Sequence, residues 1–259
     1  MYLSYPAYPA YPSYAHILVR VLPPQLSVVM PVYNEEQGIA AVVAAWTRML
    51  DRLGISYEFL LYNDGSKDGT GTRLDEIAGR YPGVRAIHQT NRGHGPTILR
   101  GYQEARGEWV FQTDSDDEIP ADAFEKVWLA RDGQQAVFGI RTGRPSSSGR
   151  RLLTAGAALA VRALFGRGPS DTNVPYRLVR RDVLTRFVSR IPGDTFAPNV
   201  IMSGLAARDR IKFAEVPVPA VARQLGQTTI IGLKTLKVGL RAAKQTLAVG
   251  LSAKRAGAE

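Results

Sequence analysis

The sequence predicts an α/β fold, a mostly parallel sheet flanked by helices, on three observations. From Leu26 onward short apolar runs alternate with helical patterns, the order that builds parallel strands joined by crossover helices. Three of the runs end in polar clusters: Tyr33-Asn34-Glu35-Glu36, Asn63-Asp64-Gly65 and Asp114-Ser115-Asp116. In an open sheet of this kind, ligands bind outside the carboxyl ends of the strands. The chain is 259 residues long, enough to bury one full core.

The elements follow in order. Residues 1–24 stand apart as a flexible tail: Tyr2, Tyr5, Tyr8, Tyr11 and Tyr14 recur every third residue with Pro6, Pro9 and Pro12 between them. In a polyproline II helix those tyrosines line one face. Such a stripe suits docking to a membrane interface or a partner, but a tail that builds no core is the favoured reading. Leu26 to Val32 reads as a buried strand, Ala40 to Leu53 as a helix stopped by Gly54, and Tyr57 to Tyr62 as a second strand. Thr70 to Arg80 is helical, ending before Pro82, and Val84 to Gln89 is a third strand. The loop Asn91-Arg92-Gly93-His94-Gly95 leads into a helix over Pro96 to Ala105. Glu108 to Thr113 forms the fourth strand, Ala121 to Ala130 a helix, and Gln135 to Arg141 a fifth strand. Arg144 to Gly149, with three serines, is a loop, and Arg150 to Phe165 a helix. Lys212 to Val218 is a late strand whose Pro217 and Pro219 place it at an edge. From Ile230 an amphipathic helix carries Leu233, Leu236, Leu240, Ala243 and Leu247 beside a stripe of Lys234, Lys237, Arg241 and Lys244. That pattern suits a helix lying in a membrane interface, or one that packs its leucines on the domain with the lysines solvated.

Composition narrows the function classes. There is no cysteine, which excludes disulfides and thiolate metal sites. No apolar run reaches the length that spans a bilayer; Leu152 to Phe165 is too short and contains Arg162. The amino terminus lacks the pattern of a secretory signal. Residues 1–130 hold 11 Lys and Arg against 16 Asp and Glu, a net of −5, whereas residues 131–259 hold 22 against 7, a net of +15. The basic half is expected to meet anions such as phosphates or lipid headgroups. Nucleic acid is not expected, because aromatic residues are not interleaved with the basic ones after Arg177.

Asp114 and Asp116 carry the most chemistry. Two carboxylates one residue apart at a strand end project toward one small volume, and a cation relieves their repulsion. Mg²⁺ or Mn²⁺ takes oxygen ligands and bridges to phosphate. Asp117, Glu118 and Pro120 also permit a plain acidic turn before a helix. The glycine loop around Gly93 precedes a helix, and backbone N–H groups at a helix start suit phosphate.

The segments PVYNEE, NDGSKDGT, NRGHGPTILRGYQEARGEW and TDSDDEIP, in this order and spacing, resemble the family 2 glycosyltransferases, whose GT-A fold is Rossmann-like. GIRTGR, DTNVPYRLVRRDVL and FAEVPVPAVARQLGQT are similar to the subgroup that uses polyprenyl phosphates as acceptors, typified by dolichyl-phosphate mannose synthase. The likeness spans about residues 25 to 230. It implies a GT-A glycosyltransferase domain over 25–229, followed by the basic amphipathic helix at 230–259. It implies an enzyme that binds a UDP- or GDP-linked sugar through Pro31, Tyr33, Asn34, Glu35, Asp64, Gly93, Asp114 and Arg223. The metal would sit on Asp114, Asp116 and Glu118, where relatives often carry Gln in place of Glu118. Asp116 and Arg141 would be catalytic, and Arg141, Arg144, Arg151 and Arg177 would hold the acceptor phosphate; Arg150 is equally placed for the role given to Arg151. Pro175 stands where the subgroup's Asp-x-x-x-Gly-Phe-Arg pattern, begun here by Asp171, has glycine. The expected reaction is inverting transfer to undecaprenyl or dolichyl phosphate by an enzyme on the cytoplasmic face of the membrane, held there peripherally by the carboxyl-terminal helix. The alternative acceptor is a saccharide hydroxyl, which requires a carboxylate base.

Overall fold

The computed structural model describes residues 22–143, 159, 162–221 and 242–251. The Tyr/Pro-rich segment, Arg144, Arg150, Arg151, Arg223 and the start of the helix expected from Ile230 lie outside the described residues.

The strands are β1 (Leu26–Val32), β2 (Tyr57–Asp64), β3 (Val84–Gln89), β4 (Trp109–Gln112), β5 (Ala136–Thr142), β6 (Arg177–Arg180) and β7 (Phe213–Pro219). They form one sheet in the order β3-β2-β1-β4-β6-β5-β7. Only β6 runs against its neighbours, pairing antiparallel with both β4 and β5; every other pairing is parallel. From β1 the chain winds outward through β2 and β3, then returns to place β4 on the other side of β1. That reversal opens a crevice beyond the carboxyl ends of β1 and β4, where α/β sheets bind ligands.

Both faces of the sheet are covered, so the central strands are apolar at nearly every position. Val28 and Met30 of β1, with Phe59 and Leu61 of β2, pack under α1 (Ile39–Arg52), α2 (Thr70–Arg80) and α4 (Phe124–Leu129). Val29, Leu60 and Tyr62 face the other way, against α3 (His94–Glu104), α5 (Arg181–Val188) and α6 (Pro198–Arg208). Phe111 anchors the first layer, its ring 4.6 Å from Phe124 and 4.8 Å from Tyr176. The Tyr176 hydroxyl donates to the Pro120 carbonyl at 3.2 Å, fastening the loop after β4 to this core.

The alternation of strands and helices through β5 follows the sequence expectation, with ends shifted by a residue or two. Gly54 stops α1 at φ 64°, a conformation that costs glycine little. The helix expected from Ala121 opens with a 3₁₀ turn, Ala121–Ala123, before α4 begins. β7 is an edge strand, as its prolines require. Three elements were not anticipated. β6 is four residues with arginine at both ends, and α5 follows it without a loop. α6 is buried on nearly all sides, so it shows no amphipathic stripe to read.

At the amino ends of the central strands, the Glu58 carboxylate accepts from Ser27 Oγ at 2.6 Å and from the Arg106 backbone N–H at 2.7 Å. Arg106 Nη2 adds a bond at 2.8 Å. Burial opposes ionisation of Glu58, but these bonds prevail and hold its carboxyl below the usual range. Its contribution to stability is therefore present above pH 4.5 and lost as pH falls below it. Glu58→Gln is expected to lower stability at pH 7 by about 2 kcal/mol and to cost much less at pH 3. Thermal melts of both proteins across that range check the convergence.

Candidate active site

The loops after β1 and β2 are laced together by local polar side chains. Asn34, at φ 54°, takes the left-handed conformation that asparagine tolerates. Its Oδ1 accepts from the Lys67 N–H at 2.9 Å, and its own N–H donates to Ser66 Oγ at 3.0 Å. The Glu35 N–H donates to Thr70 Oγ1 at 2.8 Å, and Glu36 Oε2 accepts from the Gly69 N–H at 3.0 Å. Asp68, just before α2, accepts from the Thr70 N–H at 3.1 Å, the two-residue bond of an Asx turn. Pro31 is buried at the end of β1, Glu35 is buried, and Tyr33 is half-buried in the crevice wall.

Asp64 ends β2 and is buried. Its Oδ1 accepts from Gln89 Nε2 and from the Arg92 N–H, both at 2.8 Å, and Oδ2 accepts from the Gly93 N–H at 2.9 Å. The aspartate thus fixes the glycine loop at the start of α3. Gly65 is obligatory beside it: at φ 68°, a Cβ would lie 2.6 Å from the Asn91 nitrogen. The local pattern Asn-Asp-Gly signalled a turn but not this partner 29 residues on.

Asp114 sits at the centre of the crevice floor with its side chain 29% exposed. A buried polar relay orients it. The Tyr102 hydroxyl donates to Asn199 Oδ1 at 3.4 Å, Asn199 Nδ2 to Gln112 Oε1 at 3.0 Å, and Gln112 Nε2 to Asp114 Oδ1 at 2.9 Å. His94 Nε2 lies 3.6 Å from the same oxygen. Burial pushes the Asp114 carboxyl up to about 6; His94 draws it back, Asp116 and Glu118 push it further, and Arg141 relieves it. Asp116 is half-buried, and its Oδ1 accepts from the Glu118 N–H at 3.2 Å.

Arg141, on β5, closes the other side. It forms a two-bond fork with Asp171, Nε to Oδ2 at 2.8 Å and Nη2 to Oδ1 at 2.9 Å. Its Nη1 lies 3.9 Å from Glu118 Oε1. Burial works against the Arg141 charge, but Asp171 first, then Glu118 and Asp114, raise its pKa further above the usual range. Asp171 was visible in the sequence only as the start of a motif; its pairing with Arg141 was not.

Two expectations change. Arg177 does not line the crevice. It is fully buried, and its donors go to backbone carbonyls: Val174 at 3.0 and 2.8 Å, Asn199 at 3.0 Å and Thr172 at 3.4 Å. Burial lowers its pKa to about 10, and a side chain with no exposed surface does not reach an acceptor phosphate in the crevice. Nor do Asp114, Asp116 and Glu118 close a cage, since among the described residues no group of three His, Asp or Glu is placed to hold a metal ion. Glu118 turns to Arg141 instead. The crevice still suits a divalent ion, because Asp114 is a half-buried carboxylate beside like charges. Mg²⁺ is commonly bound by one or two carboxylates plus substrate phosphates. A surface cavity of ≈ 680 Å³ lined by Trp109, Trp128, Arg131 and Arg180 lies elsewhere, where β4 begins, and contains none of these residues.

The family model described as "Glycosyl transferase family 2" matches residues 27–186. An undecaprenyl-phosphate 4-deoxy-4-formamido-L-arabinose transferase of Pseudomonas fluorescens is 29% identical over 206 residues, covering 78% of this chain and 59% of that one. The transferase of the same description from Pectobacterium carotovorum is 27% identical over 216 residues, covering 82% and 64%. The chain thus spans under two thirds of the length of these curated relatives. Among solved structures, glucosyl-3-phosphoglycerate synthase of Mycobacterium tuberculosis, in complex with Mn²⁺ and uridine-diphosphate-glucose, aligns with a TM-score of 0.62 at 22% identity. The alignment covers 88% of this chain and 78% of that one. Its complex with phosphoglyceric acid aligns at 0.60 and 21%. At such identity the likeness shows a shared fold.

With its folded pKa raised from 3.8 to about 6, Asp114 destabilises the metal-free protein as pH rises through that interval. Asp114→Asn in EDTA is expected to raise the melting temperature by a few degrees at pH 8 and to leave it nearly unchanged below pH 4. Differential scanning fluorimetry of the two proteins measures the difference.

Proposed function

Since the chain belongs to glycosyl transferase family 2, we propose that it moves a sugar from a nucleotide-diphosphate donor to a polyprenyl phosphate at a membrane surface. One observation carries this reading. The acidic end of β4 and the arginine of β5 lie at one crevice, with Asp114 and Asp116 on one side and Arg141, which Glu118 faces, on the other. The first group suits a cation-bound diphosphate. The second suits a phosphate that is already ionised.

The donor would lie over the loops of β1 and β2, with Pro31, Tyr33, Asn34 and Glu35 along the nucleotide and Asp64 holding the Gly93 loop below it. Asp114 and Asp116 would hold Mg²⁺ or Mn²⁺, which supplies Lewis-acid stabilisation of the departing nucleoside diphosphate. Arg141 would orient the acceptor phosphate so that its oxygen meets the anomeric carbon opposite the leaving group, which inverts the configuration. A phosphate oxygen needs no strong base. The carboxylates nearest Arg141 are already paired with that cation, which favours a phosphate over a saccharide hydroxyl. Arg144, Arg151 and Arg223 are proposed to add contacts to the acceptor phosphate and the diphosphate. The described relatives that act on undecaprenyl phosphate support the same acceptor class.

Membrane attachment would come from the carboxyl-terminal helix. No helix among the described residues is long and apolar enough to cross a membrane. Residues 242–251 are helical, with Thr246 and Val249 buried and Leu247 and Leu251 45% and 50% exposed beside exposed Lys244. The leucines point away from the domain, as an interfacial helix requires. The proposed location is the cytoplasmic face of the membrane.

Labelled UDP- and GDP-sugars, incubated with polyprenyl phosphate and Mg²⁺ or Mn²⁺, are expected to yield solvent-extractable lipid label that EDTA abolishes. Label confined to water-soluble saccharide would move the acceptor to a hydroxyl. Asp116→Ala should reduce transfer on the order of 10²- to 10³-fold with an unchanged far-UV spectrum. Replacing Leu247 and Leu251 together by Glu should lower binding to anionic vesicles by roughly tenfold or more, measured by co-sedimentation.

A further inference from the structure

Arg141 has its donor edges divided between two carboxylates of unequal grip. Asp171 takes Nε and Nη2 at 2.8 and 2.9 Å, the geometry of a charge-assisted fork. Glu118 faces the remaining nitrogen, Nη1, at 3.9 Å, an attraction without a short hydrogen bond. All three side chains are largely enclosed, with Arg141 17%, Glu118 16% and Asp171 13% exposed. Arg177 beneath them has its guanidinium donors on backbone carbonyls and cannot replace Arg141.

We propose that Asp171 is a positioning residue that aims the Nη1 edge of Arg141 into the crevice, and that Glu118 occupies the seat of a phosphate oxygen on that edge. The inference rests on reading Arg141 as a phosphate ligand. The two carboxylates then have opposite effects on one ligand class, a phosphate monoester, whether it is lipid-linked or free. The fork holds a flexible side chain in one orientation, so the arginine meets its ligand with little left to order. Glu118 neutralises the exposed edge until a more highly charged anion, able to approach more closely, takes its place. Glu118 would thereby set the threshold for acceptor binding, and Asp171 the geometry in which the acceptor is held.

Charge alone predicts that removing either carboxylate tightens an anion. The proposal predicts that the two substitutions diverge. In the full chain with EDTA present, Glu118→Gln is expected to tighten inorganic phosphate by about 3- to 10-fold, a gain that loss of structure cannot produce. Asp171→Asn is expected to weaken it by a similar factor although it also removes a negative charge, and Asp171→Glu to recover part of the loss. Isothermal titration with inorganic phosphate reads the constants, and melting temperatures identify any variant that fails to fold. Tightening in both Glu118→Gln and Asp171→Asn would reduce Asp171 to a counter-charge and overturn its positioning role. Unchanged or weaker binding in Glu118→Gln would remove Glu118 from the phosphate seat. Transfer to polyprenyl phosphate, followed in parallel, separates this inference from the proposed function. Divergent phosphate affinities without lipid labelling in the parent protein would overturn the acceptor and keep the seat. Lipid labelling without divergence would do the reverse.

Discussion

The carboxylate of Asp114 is the constraint around which the site is organised. It is held at the end of a buried strand with Asp116 and Glu118 nearby, and a low-dielectric setting makes each like charge costly. The surroundings offset this in three ways. A relay from Tyr102 through Asn199 and Gln112 gives the carboxylate a fixed donor. His94 stands at the start of α3 opposite its oxygen. Arg141 supplies a full positive charge, itself secured by Asp171. A carboxylate so placed suits a cation, and without one it is expected to weaken the fold as pH rises.

The second layer of order is backbone rather than charge. Asn34, Asp68, Ser66 and Thr70 tie the β1 and β2 loops to each other, and Asp64 ties β2 to the loop that starts α3. These residues accept or donate to main-chain groups that would otherwise be unpaired at strand ends. The crevice wall is thereby fixed before any ligand arrives. Such pre-organisation suits the proposed transfer, because catalysis depends on groups already oriented toward developing charge.

The first half of the fold was legible because its signals are local. Buried parallel strands read as apolar runs, their ends as polar clusters, and Gly54 and Pro82 as stops. Asp64, Asp114 and Asp116 could be placed at one sheet edge on that basis alone. The second half depends on pairings distant in sequence. Arg141 and Asp171 are 30 residues apart, and nothing in a linear pattern says that this arginine is forked by that aspartate. Arg177 misled for a related reason. An arginine in a basic stretch suggests an exposed anion ligand, whereas its neighbours Val174, Tyr176 and Leu178 are buried and take the guanidinium inward to satisfy carbonyls. β6 has only four residues, with arginine at both ends, and so carries no period to read.

The carboxyl-terminal helix shows why the direction of an amphipathic face matters more than its existence. Gln245 accepts from the Phe196 N–H at 2.9 Å and donates to the Asp194 carbonyl at 3.2 Å. The Thr195 and Phe196 carbonyls in turn lie against Gly95 in the first turn of α3, so closely that no Cβ fits there. The same helix turn that fixes His94 beside Asp114 is therefore in contact with the loop that Gln245 holds. Among the described residues of the carboxyl-terminal helix, Thr246 and Val249 are buried against the domain beside Gln245. Leu247 and Leu251 stay half-exposed on the other side. An acceptor of the proposed class, with a long apolar tail and a charged head, would make two demands at once, an apolar surface and a fixed cation, and Leu247 and Leu251 with Arg141 would answer them.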